Sequence, residues 1–384
     1  MRRIIICLDG TWANPGNLVE REGRTSVHKP SNVLKTFRAV VPRGADRVDQ
    51  ISYYDEGVGA LFAQRGLRNK ALARLDAFLG GAWGAGFEQN IESAYSFLVG
   101  NQLPDDEIFV FGFSRGAGQA RSLCRFIDWM GGTLHKRDAY FIPDFFKHYI
   151  ESEGAPGAGQ SFREHLIGTG KKIEPPLAAR VRFLGVYDTV LALGSRLRAD
   201  FDGKEGTAAP NLAFHVGDKP PAIVSVARQA LAIDERRTDF RPEIWRDAQA
   251  GQSLEQRWFP GVHTSIGGGY ADDGLANGAL RWMIDAAKGE GLVVDEDFLR
   301  YYRPWFGDTR DESYKGFMKI RGWIRGLAGE SGDRDLLAYG NSGGLDVHES
   351  AIRLLEYDAS YRPENLLAYM RSREDLSPRI PPGA

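Results

Sequence analysis

The sequence predicts an α/β protein whose mostly parallel central sheet carries helices on both faces. Three observations predict it. Short, almost wholly apolar runs recur at Arg3–Leu8, Gln50–Tyr54, Glu107–Phe113 and Arg180–Tyr187, as parallel strands covered on both sides require. Between them lie stretches whose apolar residues repeat at helical spacing. Each apolar run then ends in polar or glycine-bearing groups: Asp9-Gly10-Thr11, Asp55-Glu56-Gly57, Gly112-Phe113-Ser114-Arg115-Gly116 and Asp188-Thr189. Such sheets bind their ligands at the carboxyl ends of the strands, so these groups are the first place to look for chemistry.

Taken in order, Arg3–Leu8 is the first buried strand. Ser31 is placed to cap a helix holding Val33, Leu34, Phe37 and Val40. Gln50–Tyr54 forms the second strand, and segment 60–84 reads as helix giving way to loop at Gly80-Gly81 and Gly84. Phe87, Ile91, Ala94, Tyr95 and Leu98 mark an amphipathic helix before the strand Glu107–Phe113, and Ala117, Ala120, Leu123, Cys124 and Ile127 mark another after it. Residues 131–175 are an insertion with aromatics Tyr140, Phe141, Phe145, Phe146 and Tyr149, either a cap or lid near the site or the packing face of an accessory helix. Arg180–Tyr187 is a fourth strand, and 194–221 a second, polar insertion. Ala222–Ile233 carries strand and helix signals together. Arg257–Val262 is a short strand leading to His263 in a glycine-rich loop, and a helix runs from about Leu275 to Ala287. Residues 296–384 read as an extension packed on the same single domain, 1–384.

Composition narrows the function. With 384 residues, 42% hydrophobic and 26% charged, the chain has material for a large core, and a net charge of −2 gives no footing for nucleic acid. Cys7 and Cys124 both fall in segments predicted buried and read as small core hydrophobes. Asp9 interrupts the N-terminal apolar run too early for a signal peptide, and no stretch approaches a membrane span. A cytoplasmic location is expected, with secretion by a signal-less route and a peripheral membrane contact both compatible. No signal for an oligomeric state is present.

In a chain with 46 glycines the Gly-x-Ser-x-Gly spacing around Ser114 decides little alone. Its context decides more: helix, buried strand, tight turn, helix is the setting in which a serine is held exposed above a sheet with the next backbone N–H beside it. A serine hydroxyl needs a histidine to take its proton, and the histidine needs a carboxylate to fix its tautomer. Of seven histidines, His263 alone comes late and directly after a strand, with His215 the weaker alternative. Asp188 ends a buried strand, a place that also suits a helix cap; Asp234, Asp272 and Asp273 are its rivals. Asp234-Glu235-Arg236-Arg237 reads equally as a surface ion-pair cluster. The order Ser, Asp, His is that of α/β-hydrolases. The oxyanion would be held by the N–H of Arg115 and one from Gly10 or Thr11. Asp9-Gly10-Thr11 also echoes an aspartyl-phosphate motif, but Thr11 stands where its second aspartate belongs. No cofactor and no metal are expected; Asp272-Asp273 offers oxygens for Ca²⁺, but capping by Asp273 is simpler.

At these residues a resemblance becomes specific. The runs Ile5 to Trp12, Tyr54 to Gly59, Gly112 to Ala117, Phe183 to Val190 and Trp258 to Tyr270 are together similar to an uncharacterised α/β-hydrolase-like domain family. Ala230 to Arg237, Val347 to Ser350 and Tyr361 to Leu366 fit the same pattern. That family includes the catalytic domains of type VI secretion lipase effectors. The resemblance implies an α/β-hydrolase fold, Ser114 as nucleophile, Asp188 as acid, His263 as base, and an ester or lipid substrate, phospholipid acyl esters foremost. Larger members carry further docking or delivery regions, so a stand-alone hydrolase fits this length as well as an effector does. Two other readings are a carboxylesterase of small soluble esters and a degenerate hydrolase fold kept as a binding module.

Overall fold

The computed structural model describes residues 1–10, 18–21, 24–28, 30–57, 83–190, 216–237, 240–307, 332–340 and 342–382. Thr11, His215, segment 60–82 and most of the 194–221 insertion lie outside them.

The strands form where the apolar runs predict them: β1 (Arg3–Leu8), β4 (Gln50–Asp55), β5 (Glu107–Phe113) and β6 (Arg180–Tyr187). The ambiguous segment resolves as a strand, β7 (Val224–Ala232), and β8 (Ser253–Phe259) starts earlier and ends earlier than its sequence suggests. Three strands have no counterpart in the sequence reading. A small antiparallel hairpin joins β2 (Leu18–Arg21) to β3 (Arg24–His28), and β9 (Leu345–Val347) adds the last strand of the main sheet.

Among the described residues that sheet has seven strands in the order β4-β1-β5-β6-β7-β8-β9, every pair parallel. From β1 the chain passes first to β4 on one side and then to β5 on the other. The strand order therefore reverses between β1 and β5, and the crevice of an open α/β sheet opens at such a reversal. Leu8 pairs with Gly112, and Phe113 with Tyr187. Ser114 and Asp188 are thus level by register alone, and Asp9 stands beside Phe113, one residue short of Ser114.

Alternation along the strands builds a core on each face. Ile4, Ile6, Leu8, Ile108 and Val110 face α2 (Trp83–Asn101) and α3 (Arg115–Met130). Ile5, Cys7, Phe109, Phe111 and Phe113 face α1 (Asn32–Ala39) and the helix Gly274–Gly289. Ser31 caps α1 as its position predicts, its hydroxyl accepting from the Leu34 N–H at 3.0 Å. Both cysteines are buried and free.

The aromatics of 131–175 belong to the first core. Phe141, Phe145, Phe146 and Tyr149 are buried with α2 and α3, and only Tyr140 stands out into solvent. These side chains pack into that core. A third cluster joins the far end of the sheet, Leu231, Trp258, Leu345 and Val347, to helices Glu349–Tyr357 and Glu364–Arg371. The C-terminal residues thereby complete the sheet edge.

The turn after β5 is so tight that side chains are excluded from its inner wall. A Cβ at Gly112 would lie 2.5 Å from the Gly116 carbonyl oxygen, and one at Gly116 only 2.2 Å from that of Leu8. Both obstacles are backbone, so neither can swing aside. Gly116→Ala is expected to cost at least about 2 kcal/mol, read as a lower denaturant midpoint. Gly100→Ala, where nothing lies within 4 Å, is expected to be neutral or to stabilise its helix by up to about 1 kcal/mol. Equal midpoints for the two variants would contradict the packing described.

Candidate active site

Ser114 sits between β5 and α3 with φ 57° and ψ −121°. Its N–H donates to the Tyr187 carbonyl at 3.0 Å, which ties the turn to the neighbouring strand. Among the described residues five non-glycines have positive φ. Arg47, Asp105 and Glu153 lie in exposed positions, whereas Ser114 and Asp188 (φ 41°) are buried. Backbone strain of this kind costs about 1–3 kcal/mol per residue and persists only where the surroundings enforce it. Here two strained residues end adjacent strands. Arg115 opens α3, so its N–H lies at the positive end of the helix, beside Ser114. Its side chain is buried, and burial pushes the guanidinium down to about 9.

Asp188 is wholly buried, and its carboxylate accepts four hydrogen bonds. The Ala232 N–H donates at 3.1 Å and His263 Nδ1 at 2.6 Å. The two terminal nitrogens of Arg334 donate at 2.6 and 2.9 Å, one to each oxygen. Burial alone would raise the Asp188 pKa, but the charge of Arg334 and the bonds from His263 and Arg334 hold it well below the ordinary carboxylate range.

His263 opens a short helix, His263–Gly267, not a loop as its glycine-rich surroundings suggest. Its ring packs against Phe113, centroids 4.8 Å apart, and edge-on against Phe240 at 4.9 Å. Phe113 immediately precedes Ser114, so the histidine helix and the serine turn share a wall. With Nδ1–H given to Asp188, Nε2 carries the lone pair. Burial lowers the imidazole pKa, more than Asp188 raises it.

Asp9 ends β1 on the other side of Ser114. The buried carboxylate accepts from the Ser31 hydroxyl, from the Tyr54 hydroxyl at 2.7 Å and from the Gly10 N–H at 2.7 Å. A Cβ at Gly10 would stand 3.3 Å from that of Ser114, which measures how closely this loop approaches the serine. The Gly10 N–H donates to Asp9, and Thr11, the other oxyanion donor expected from this loop, lies outside the described residues.

The rival acids have other partners. Asp234 accepts from the Gly261 N–H at 2.6 Å and from the Tyr361 hydroxyl, fixing the turn before His263. The cluster that follows it divides: Glu235 is buried, paired with Arg237 and accepting from the His263 N–H at 3.2 Å, while Arg236 makes an exposed pair with Asp333. Asp273 precedes the Gly274–Gly289 helix without capping it through its side chain. Its carboxylate goes instead to buried Lys35 at 2.8 Å and to Asn277 at 2.9 Å. No cluster of three or more metal-ligating side chains occurs among the described residues. The residue that sequence reading missed is Arg334, which lies 146 positions from Asp188 in a segment without periodicity.

A family model described as the catalytic domain of Tle1-like phospholipase effectors of the type VI secretion system matches residues 2–286. "Uncharacterized protein YEL023C" of Saccharomyces cerevisiae is 27% identical over 246 residues, 62% of this chain and 32% of that one. Two solved structures are similar. One is an uncharacterized protein from Pseudomonas aeruginosa, with a TM-score of 0.42 and 16% identity over 79% of this chain and 49% of that chain. The other is the Tle1 effector bound to the VgrG spike of the type 6 secretion system, with a TM-score of 0.39 and 21% identity over 70% and 51%. The chain thus spans about a third of the curated relative it matches and about half of each of these solved chains.

Burial pushes the Asp9 carboxyl from 3.8 up to about 7, against the bonds from Ser31, Tyr54 and Gly10 that favour its ionised form. A raised carboxyl favours the fold while protonated. That contribution is complete below the unfolded value and is lost as pH rises through about 7. Asp9→Asn stays neutral and keeps an acceptor for the Gly10 N–H. Its melting temperature is therefore expected to rise relative to wild type as pH goes from about 5 to about 8. A gap independent of pH would show that Asp9 does not titrate in this range.

Proposed function

The chain belongs to the family of Tle1-like catalytic domains of type VI secretion phospholipase effectors, and from that premise we propose that it is a serine hydrolase of phospholipid acyl esters working through Ser114, His263 and Asp188. The observation that carries the reading is the buried 2.6 Å bond between His263 and Asp188, at the carboxyl end of the sheet where strained Ser114 projects from the adjacent strand.

In this reading His263 Nε2 takes the Ser114 proton as Oγ attacks the ester carbonyl carbon. The resulting oxyanion is held by the Arg115 N–H at the start of α3, with the second donor drawn from Gly10 or Thr11. His263 then gives the proton to the departing alcohol, leaving an acyl-serine. A water, deprotonated by the same histidine, releases the fatty acid and restores the serine. Asp188 keeps Nδ1 protonated and so fixes the tautomer on which both transfers depend.

Two measurements test this. Phosphatidylethanolamine or phosphatidylglycerol vesicles are expected to release fatty acid with wild type, and at least about 10³-fold more slowly with Ser114→Ala. Cleavage of p-nitrophenyl butyrate alone would favour a small-ester hydrolase, and silence on both by a folded protein would sink the catalytic reading. Because His263 must be neutral to act and burial lowers its pKa, kcat/KM is expected to hold its plateau below the ordinary histidine value of 6.5. An acid limb centred above that value would contradict the buried base.

A further inference from the structure

We propose that Arg334 is a positioning residue for this centre: its guanidinium fixes the Asp188 carboxylate by paired bonds and offsets its charge, so that Asp188 orients His263 without holding it protonated. This rests on the reading of Ser114, His263 and Asp188 given above.

The geometry is that of a built clamp. Arg334 is 6% exposed and Asp188 fully enclosed, and the guanidinium meets both carboxylate oxygens in the fork geometry that arginine alone provides. The clamp is itself held. Its terminal nitrogens also donate to the carbonyls of Ala232 at 2.9 Å and Phe240 at 2.6 Å. The Asn365 side-chain amide donates to the Arg334 carbonyl at 3.1 Å and to that of Ile233 at 3.0 Å. Arg334 lies beyond residues 2–286, the part that matches the family model, so the C-terminal segment supplies it to a centre otherwise built before residue 287.

Charge around His263 follows the same plan. Among the described residues Asp188 from the end of β6, with Glu235 and Arg237 from the segment after β7, acts directly on it, and Arg334 reaches it through Asp188. The rings of Phe113 and Phe240 close two other sides. Each acid therefore has an arginine of its own, Asp188 with Arg334 and Glu235 with Arg237. An imidazolium here would meet two neutralised pairs instead of two bare carboxylates. The lowered His263 pKa, set first by burial, agrees with that balance.

The test uses the full chain as wild type, Arg334→Gln and Arg334→Lys. His263 is titrated by ¹⁵N NMR of labelled histidines, its signals identified from a His263→Gln control. In parallel, the rate of covalent labelling by a fluorophosphonate is followed against pH. Arg334→Gln is expected to raise the His263 midpoint by about one pH unit, carry the labelling limb with it, and slow the plateau by about 10²-fold. Arg334→Lys keeps the charge but not the fork, so its midpoint stays near wild type while its plateau falls by about tenfold. Wild-type midpoint and plateau in folded Arg334→Gln overturn the proposal. Where Arg334→Gln does not fold, a wild-type plateau in Arg334→Lys overturns it. A raised midpoint in Arg334→Gln, with no serine labelled in any form, supports the charge effect and overturns the hydrolase reading instead.

Discussion

A fully buried carboxylate that accepts four hydrogen bonds is the constraint on which this structure turns. Asp188 would be costly to ionise in such a place without partners, and a cost of several kcal/mol per uncompensated ion is the general rule. Arg334, His263 and the Ala232 N–H meet it from three different parts of the chain. To bring them together the fold must close its far edge, seat the C-terminal helices and fix the turn that carries His263. Removing either member of the ion pair would leave the other buried and unmatched. The same contacts that stabilise the fold therefore define the candidate site, and changes to stability and to reactivity are coupled there.

The sheet does the remaining alignment. Parallel register places the ends of β1, β5 and β6 next to one another, and the reversal of strand order opens the crevice between the first two. Within that crevice backbone approaches backbone too closely for side chains, which is why Gly112 and Gly116 flank Ser114. Positive φ at Ser114 and Asp188 is strain held in place by this packing, and it aims both residues over the carboxyl end of the sheet. Asp9 completes the arrangement from the other side by gathering Ser31, Tyr54 and Gly10 around one carboxylate.

Much of this is legible in the sequence because it follows from period and punctuation. Apolar runs such as Ile108 to Phe113 have one reading in a sheet covered on both faces, and Ser31 before a helical repeat has one reading as a cap. β7 was ambiguous for a physical reason. Gln229 is buried within it, hydrogen-bonded to the side chain of Gln256 and the carbonyl of Glu243, and a satisfied polar residue breaks the expected apolar run. The five-residue helix at His263 is too short for any periodicity to show. Asp234 and Glu235 look like surface charges until Gly261, Tyr361 and Arg237 are folded against them. Arg334 left no local signal at all, since its partners are long-range and its role is electrostatic.

In the proposed reading Ser114 is the reacting group, with Asp188 and His263 as its acid and base. A crystal structure of the full chain after reaction with a fluorophosphonate tests it most directly. The expected result is phosphorus bonded to Ser114 Oγ, with a phosphonyl oxygen facing the Arg115 N–H and Asp188 still joined to both His263 and Arg334. An adduct on another residue, or a Ser114 adduct with His263 turned away from Asp188, would contradict it.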